Sequence, residues 1–348
     1  MNRLDAQPRR ARCSGFVARR RMLGGLAALL APLLSAALSL AAATDVGAQA
    51  VYPERPIRIV VPYAPGGTSD LFARLIAQQL SEAWGQQAIV ENRAGGGTVI
   101  GATAVARAAP DGYTLLFMNN THVINPLLMA NLPYDAFKDF TPITTLASSP
   151  YLLLTKAALP ARTLADYIAL AKKRPGELNY GTGGPGGLTH LAGELFNAAA
   201  GTKIAMVHYK GAAPLTNAAL AGEIDAYLDV PATTVPHIRA GKLNVIAVTG
   251  PARVAALPDV PTTAEAGLPA FEVTITYGLL GPAGLPPAVV AKLAGELDRI
   301  FSRAGIKDKL EGMGLTPVRS SPDGFARWLR SEQSRFDRVI KDAGIKAE

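Results

Sequence analysis

Short apolar runs alternate with amphipathic stretches from residue 57 onward. The apolar runs predict strands over residues 57–62, 88–91, 114–119, 151–155, 226–228 and 244–248. Between them, apolar positions recur at helical spacing, as over residues 70–84. Residues 163–166 and 262–265 each have the capping-box pattern, in which a hydroxyl and a carboxylate satisfy the free amides of a helix start. Strands that alternate with helices predict an α/β fold with largely parallel sheets.

Two β-prone segments predict where the chain passes between domains. Residues 140–155 form a long segment broken by Ser148, Ser149 and Pro150, and residues 271–281 form another, with helices predicted after it over 287–302 and 322–344. The predicted division is a first domain built from 51–148 and 274–348 and an inserted second domain, 149–273. Each domain would be a mostly parallel sheet flanked by helices, with a two-strand hinge. Such a pair can close on a molecule held between them.

Residues 1–50 have the three parts of an export signal. Seven arginines stand near the start, an uncharged run follows over 22–44, and the letters AQA at 48–50 match a cleavage site. We expect cleavage after Ala50, and the three arginines at 19–21 also fit a twin-arginine signal. The alternative is a retained membrane anchor, since the apolar run exceeds the roughly 18 residues of a span. Pro32 and the cleavage pattern favour removal, which places the mature protein outside the cytoplasm.

Composition and charge exclude several classes of protein. Apolar residues make up 49% of the 348, which is too many for a disordered chain. The leader has seven arginines and two aspartates, so it holds +5 of the net charge of +8 and leaves +3 for residues 51–348. The single cysteine, Cys13, also lies in the leader. The mature chain therefore has no thiol nucleophile, zinc–cysteine site or disulfide.

Four glycine-rich turns precede predicted helices and are the candidate binding elements. They lie at 65–70, 95–98, 181–187 and 210–214. A helix start exposes unpaired amides and a partial positive charge, and glycine lets a ligand approach the backbone. Turns of this kind on both sides of a cleft would suit a small carboxylate, although glycine before a helix is also common in plain loops.

Three charged residues near these turns each have two interpretations. Asp70 either contacts a ligand or caps its helix. Lys210 either binds an anion or is an ordinary solvated lysine. Asp229 follows a predicted strand, where open α/β sheets place ligand groups, or it merely forms a turn.

Motifs of catalysis and cofactor binding are missing from the sequence. No glycine turn contains the Gly-Lys-Ser/Thr of a phosphate loop, and no Gly-x-Ser-x-Gly elbow occurs. The four histidines, His122, His190, His208 and His237, lack metal-ligand spacing. No basic run of the mature chain is interleaved with aromatic residues. We therefore predict no catalytic residue, metal or cofactor, and no nucleic-acid partner.

Eight ordered blocks of the mature chain resemble one family. They are 52–57 (YPERPI), 61–70 (VPYAPGGTSD), 90–97 (VENRAGGG), 110–115 (PDGYTL), 190–196 (HLAGELF), 209–211 (YKG), 236–243 (PHIRAGKL) and 257–262 (LPDVPT). Together they resemble the tripartite tricarboxylate transporter substrate-binding proteins, or Bug family, over essentially the whole mature chain.

The resemblance implies a periplasmic flytrap fold of two domains that captures a small organic carboxylate and delivers it to two integral membrane transporter subunits. By position in the family, ligand contacts from the first domain would be Tyr63, Gly66, Gly67, Thr68, Asp70, Asn119, Asn120 and Thr121. From the second domain they would be Ser149, Thr182, Gly183, Gly184, Gly186, Gly187 and Asp229, to which the turn at 210–214 adds Lys210. A monomer suits a receptor that must open and close.

Two departures from the family pattern bear on the choice of ligand. Gly187 stands where the family commonly has a hydroxyl residue, and His208 stands where it commonly has proline. The lost hydroxyl removes a hydrogen bond and opens space, so a bulkier or less polar acid becomes plausible. Two other functions stay open: a sensor that presents its closed form to a membrane kinase, and an exported hydrolase, which would need a catalytic base beside a nucleophile.

Overall fold

The computed structural model of this protein describes residues 52–342. The predicted export signal, its cleavage after Ala50 and the twin-arginine pattern lie outside these residues. Among the described helices, none combines the length and the apolar character needed to cross a membrane.

The first of two sheets has six strands in the order β11-β4-β10-β3-β1-β2. Strands β1, β2, β3 and β4 run in one direction, and β10 and β11 run in the other. The strands are β1 Ile57–Val61, β2 Ala88–Asn92, β3 Thr114–Asn119, β4 Phe140–Pro150, β10 Thr274–Pro282 and β11 Thr316–Pro317.

The second sheet has five strands in the order β7-β6-β8-β5-β9. Four of them are parallel, and β5 runs against its neighbours β8 and β9. The strands are β5 Leu152–Lys156, β6 Asn179–Thr182, β7 Ala205–His208, β8 Ala226–Asp229 and β9 Leu243–Val248.

Helices cover the faces of both sheets, and each sheet with its helices is called a lobe below. The first lobe holds α1 Thr68–Trp84, α2 Val99–Ala106, α3 Thr121–Leu128, α8 Pro287–Phe301, α9 Ala304–Gly312 and α10 Pro322–Asp342. The second lobe holds α4 Leu164–Lys173, α5 Leu188–Ala200, α6 Ala212–Ala221 and α7 Pro231–Arg239. This is the predicted fold class, a two-domain α/β fold with helix-flanked sheets.

Buried aromatic rings fix helix α1 against the first sheet. All six residues of β3 are buried, as expected for a strand covered on both faces. Phe72 of α1 packs edge-on to Phe117 and to Tyr277, each with 5.5 Å between ring centroids. The first turn of α1 therefore has a fixed position at the end of the sheet.

The chain passes between the lobes twice, and the two passages are hydrogen-bonded to each other. The first lies between Pro150 of β4 and Leu152 of β5, and the second follows Val248 of β9. The Tyr151 amide donates to Thr249 Oγ1 at 3.0 Å, and the Val273 amide donates to the Thr249 carbonyl at 2.9 Å. The first passage falls within the predicted crossing segment 140–155, whereas the second begins at Thr249, before the predicted segment 271–281. The exact domain boundaries stay a prediction.

Local differences from the predicted elements have simple causes. Strands β6 and β7 were not predicted, because Gly181 interrupts the short β6 and β7 is an exposed edge strand. The capping box at Thr163 forms as predicted. At Thr262 the two reciprocal hydrogen bonds also form, but residues 262–267 make turns instead of a helix. Gly267, with φ 92°, and the following Pro269 end the helical path there.

Candidate functional site

A cavity of about 330 Å³ lies between the lobes, where strands of both sheets end. From the first lobe it is lined by Tyr63, just beyond β1, and Asn119, the last residue of β3. From the second lobe it is lined by Gly183, His208 and Asp229, at the ends of β6, β7 and β8. Ligand sites of open α/β sheets occur at this edge.

The start of α1 presents unpaired hydrogen-bond donors to the cavity. Gly67 is the N-cap residue and provides no side-chain cap, so the first-turn amides of Thr68 and Ser69 have no partner within the helix. The Thr68 side chain is only 4% exposed, and no hydrogen bond from the described residues reaches its Oγ1. Buried polar groups without partners are rare, so this hydroxyl is available to bind a ligand in the cavity.

The carboxylate of Asp70 holds the turn before α1 in place. Its Oδ2 accepts hydrogen bonds from the Gly66 amide and from Arg74 Nε, both at 3.0 Å. Burial raises the pKa of Asp70, but the hydrogen bonds from Arg74 and Gly66 outweigh it and keep the pKa below its ordinary value. Asp70 is therefore an ionised support of the turn, and it does not line the cavity.

The start of α6 in the second lobe faces the start of α1. A methyl group added at Gly67 would lie 3.5 Å from Ala212 Cβ, and one added at Gly211 would lie 3.5 Å from the Ala64 nitrogen. The first amides of α6, those of Ala212 and Ala213, have no partner within the helix. Two helix starts with partial positive charge thus converge on one side of the cavity.

Lys210 adds a full positive charge beside these helix starts. It is exposed and lines the cavity. Among the described residues its ammonium group has neither a carboxylate partner nor a hydrogen bond. An unneutralised cation beside free amides favours an anion in this part of the cavity.

The turn at 95–98 closes another side of the cavity in an unusual backbone conformation. Gly95, Gly96 and Gly97 have φ angles of 127°, 56° and 58°, and Thr98 follows at 84°. A methyl group on Gly97 would lie 2.7 Å from the Pro185 carbonyl oxygen of the other lobe. Glycine is required at Gly97 for both reasons, and the strain at Thr98 is of a kind that is concentrated at functional sites.

The glycine turn before α5 differs, since its amides are used by the protein itself. Thr189 Oγ1 accepts from Gly183, Thr182 Oγ1 from Gly184, His190 Nδ1 from Gly186, and the Gly184 carbonyl from Gly187, at 2.8, 3.3, 3.1 and 3.4 Å. The next amide, that of Leu188, donates across the cleft to Thr121 Oγ1 at 3.3 Å. This turn therefore offers few free amides to a ligand.

The floor of the cavity combines three tyrosines with a buried carboxylate. Tyr63 donates to Asn119 Oδ1 at 2.9 Å, whereas no hydrogen bond from the described residues reaches the hydroxyl of Tyr151 or Tyr277. Burial raises the pKa of Asp229 to about 6, against the hydrogen bonds that it accepts. Those donors are the Val230 amide and the hydroxyls of Thr216 and Thr233, and no cationic side chain of residues 52–342 pairs with Asp229.

Ten of the sixteen residues predicted from the sequence line this cavity. They are Tyr63, Gly67, Thr68, Asn119, Thr121, Gly183, Gly184, Gly187, Lys210 and Asp229. The other six are Gly66, Asp70, Asn120, Ser149, Thr182 and Gly186. These six do not line the cavity, and their roles as direct ligand contacts stay a prediction.

Side-chain hydrogen bonds show what three of these six do. Asn120 donates to Glu332 Oε2 at 2.9 Å and accepts from the Thr276 amide at 2.7 Å, so it joins three elements of the first lobe. Ser149 donates to the Gly314 carbonyl at 2.8 Å. Thr182 Oγ1 lies 2.7 Å from Nδ1 of a cavity-lining histidine, His208.

Several lining residues were not among the predicted contacts. They include Thr98, Tyr151, Thr189, His208, Ile275 and Tyr277. The turn that contains Thr98 had a glycine signal, and the crossing segments contain Tyr151, Ile275 and Tyr277, so a hinge next to a cleft could have indicated these four. Within residues 52–342, no group of three or more His, Cys, Asp or Glu side chains could hold a metal ion.

Comparison with known proteins agrees with this fold and identifies the family of the chain. The profile of the family described as "Tripartite tricarboxylate transporter family receptor" matches residues 72–345. The chain is 34% identical over 297 residues to Protein BugT of Bordetella pertussis, covering 85% of this chain and 91% of that protein.

Two solved structures with bound ligands are similar over their whole length. The Rhodopseudomonas palustris protein Rpa4515 with adipate is 36% identical, has a TM-score of 0.83, and covers 85% of this chain and 100% of its own. MatC from the same organism, with bound malate, is 33% identical, has a TM-score of 0.79, and covers 83% and 100%. The chain thus belongs to the tripartite tricarboxylate transporter receptor family, and Bug binding proteins are among the relatives that it resembles.

Proposed function

We propose that this protein is a periplasmic solute receptor, without enzymatic activity, that binds a small organic carboxylate between its lobes. The proposal includes delivery of the ligand to the two membrane subunits of a tripartite tricarboxylate-type transporter. The observation that carries it is the convergence of the α1 and α6 starts, with their free amides, on a cavity edge that also has the unpaired Lys210.

The electrostatics of this edge suit one carboxylate group. The amides of Thr68 and Ser69 come from the first lobe, and those of Ala212 and Ala213 come from the second. Helix starts bind anions through amides of this kind and through the helix dipole. A carboxylate between them would accept hydrogen bonds from both lobes and hold them together.

The size of the cavity limits the ligand to a small molecule. Its volume of about 330 Å³ is near the lower end of the range of small-molecule sites. The related structures with adipate and with malate support a short organic acid. The buried Asp229 opposes a second anionic group on the floor of the cavity, so the portion of the ligand next to Asp229 is expected to be uncharged or a hydrogen-bond donor.

Ligand exchange requires the lobes to move apart, because they touch on both sides of the cavity. Gly67 meets Ala212 on one side. On the other, Thr121 accepts a hydrogen bond from Leu188, and both residues are buried. The two passages at Tyr151 and Thr249 would act as the hinge, and the closed form would be the state that the transporter recognises.

Calorimetry with a panel of organic acids tests the proposal, after any co-purified ligand has been removed by unfolding and refolding. We expect saturable binding of at least one acid. Lys210→Met should weaken that binding about three- to tenfold, because it removes a charge from the anion site. Lys203→Met is the matched control, since Lys203 is an exposed lysine of the same lobe that does not line the cavity. Absence of binding by every acid would sink the proposal.

A further inference from the structure

The imidazole ring of His208 lines the cavity on the face of the second sheet opposite the α6 start, which forms part of the anion site. It ends the edge strand β7, it is exposed, and it lines the cavity. Its register partner on β6 is Thr182. Nδ1 of His208 lies 2.7 Å from Thr182 Oγ1, and its ring packs edge-on to that of His190, with 4.7 Å between centroids.

The second sheet separates His208 from the free amides of α6. A methyl group on Gly181 would touch Leu215 of α6, so α6 covers the face to which Gly181 points. Thr182 points to the opposite face, because successive strand residues alternate. His208 shares the orientation of its neighbour Thr182, so it lies on the face covered by α5. A ligand that reaches both His208 and the α6 start must span the edge of the sheet.

The contact with Thr182 determines which ring nitrogen of His208 can donate. The Thr182 hydroxyl has one hydrogen, and its possible acceptors are His208 Nδ1 at 2.7 Å and the Gly184 carbonyl at 3.4 Å. Donation to the nearer atom leaves the ring hydrogen on Nε2. A doubly protonated ring also has a hydrogen there. No hydrogen bond from the described residues reaches Nε2, so it is a donor without a protein acceptor. The Glu194 carboxylate of α5 interacts with the His208 ring through its charge and accepts no hydrogen bond from it.

Few other donors on this wall are free to replace His208. The amides of the turn before α5 are used by acceptors within the protein, as described above. Nδ1 of His190 accepts the Gly186 amide, which fixes that ring as well. The remaining side-chain donor is the Thr189 hydroxyl, which already accepts a hydrogen bond from Gly183.

We propose that His208 determines ligand specificity by donating a hydrogen bond from Nε2 to a second acidic group, so that the protein prefers diacids to monoacids. The inference rests on the proposed function, in which the first acidic group binds between the α1 and α6 starts. Thr182 and His190 act as positioning residues, since they hold the ring without reaching the ligand themselves.

The test is calorimetry of the purified, ligand-stripped protein with straight-chain diacids from succinate to suberate, each paired with the monoacid of the same length. The diacid that binds most tightly and its monoacid are then measured with His208→Phe, which keeps a ring against His190 but has no donor. His208→Gln retains a donor. His237→Phe is the matched control, because His237 lies outside the cavity lining. Thermal melts confirm that each variant folds.

We expect His208→Phe to weaken binding of the diacid about tenfold or more and that of the monoacid less than about threefold. His208→Gln should recover part of the difference, and His237→Phe should change neither affinity. Equal weakening of diacid and monoacid by His208→Phe overturns the proposal, as does a preference that is lost in Thr189→Val but kept in His208→Phe. A wild type that binds monoacids as tightly as diacids refutes the role of His208 and leaves the carboxylate receptor standing. A wild type that binds no acid refutes both the role of His208 and the carboxylate receptor.

Discussion

Each lobe has a glycine-rich turn followed by a helix, and an aspartate near the cavity, but the two lobes use these groups in opposite ways. In the first lobe the turn before α1 leaves the amides of Thr68 and Ser69 free, and Arg74 keeps Asp70 ionised. In the second lobe the turn before α5 uses its own amides, and Asp229 is buried without a cation. Glycine content therefore does not show whether a turn can bind an anion, because nearby acceptors decide that.

The largest expected effect concerns the buried carboxylate of the second lobe. Since the folded-state pKa of Asp229 is raised to about 6, ionisation costs stability, and this cost grows as the pH rises from about 4 to 7. We expect Asp229→Asn to stabilise the protein by about 2 to 3 kcal/mol at pH 7.5 and to have little effect near pH 4. Denaturant unfolding of both proteins across this pH range measures the difference. A stability difference that does not depend on pH would contradict the uncompensated burial of Asp229.

Removing the carboxylate of the first lobe, Asp70, should be harmful, because it weakens ligand binding. Asp70→Ala removes the acceptor of the Gly66 amide and of Arg74, so the turn loses its fixed shape. We expect affinity for the best-binding acid to fall about tenfold, although Asp70 does not line the cavity. Calorimetry measures the affinity and a thermal melt monitors the fold. Wild-type affinity in Asp70→Ala would show that the turn needs no such support.

A matched pair of threonines tests the difference between the turns with a smaller effect. Thr68→Val removes a hydroxyl without a protein partner, so affinity should fall about fivefold with little change in stability. Thr189→Val removes the acceptor of the Gly183 amide, so stability should fall by about 1 kcal/mol with less effect on affinity. The same pattern of loss in both variants would mean that the two turns do not differ as described.

Much of the fold was predictable because it follows from local patterns. Strands such as β1 and β3 are continuous apolar runs, and the capping box at Thr163 forms as its spacing predicts. The edge strand β7 was not predictable, since it is exposed and has no apolar alternation to identify it. Residues 262–267 show that a local pattern can also predict too much. The capping hydrogen bonds form there, but no helix follows, because Gly267 and Pro269 come next.

The turns of the candidate site were predictable from the sequence, whereas the long-range partners of individual side chains were not. Gly67, Thr68 and Lys210 line the cavity as expected. The side chains of Asn120 and Ser149, also expected as contacts, bond to Glu332 and to the Gly314 carbonyl, which are distant in the sequence, and their direct contact with a ligand stays a prediction. Tyr277 comes to the site through the pairing of β10 with β3. Such long-range partners are determined by the tertiary fold, which sequence spacing does not encode.

We propose that the ligand carboxylate lies between the starts of α1 and α6. A crystal structure of the protein with its tightest-binding acid tests this most directly. We predict carboxylate oxygens within hydrogen-bond distance of the Thr68 or Ser69 amide and of the Ala212 or Ala213 amide, with Lys210 nearby. A carboxylate held instead by the amides of the turn before α5, or bound outside the cavity, would show that the two helix starts do not form the anion site.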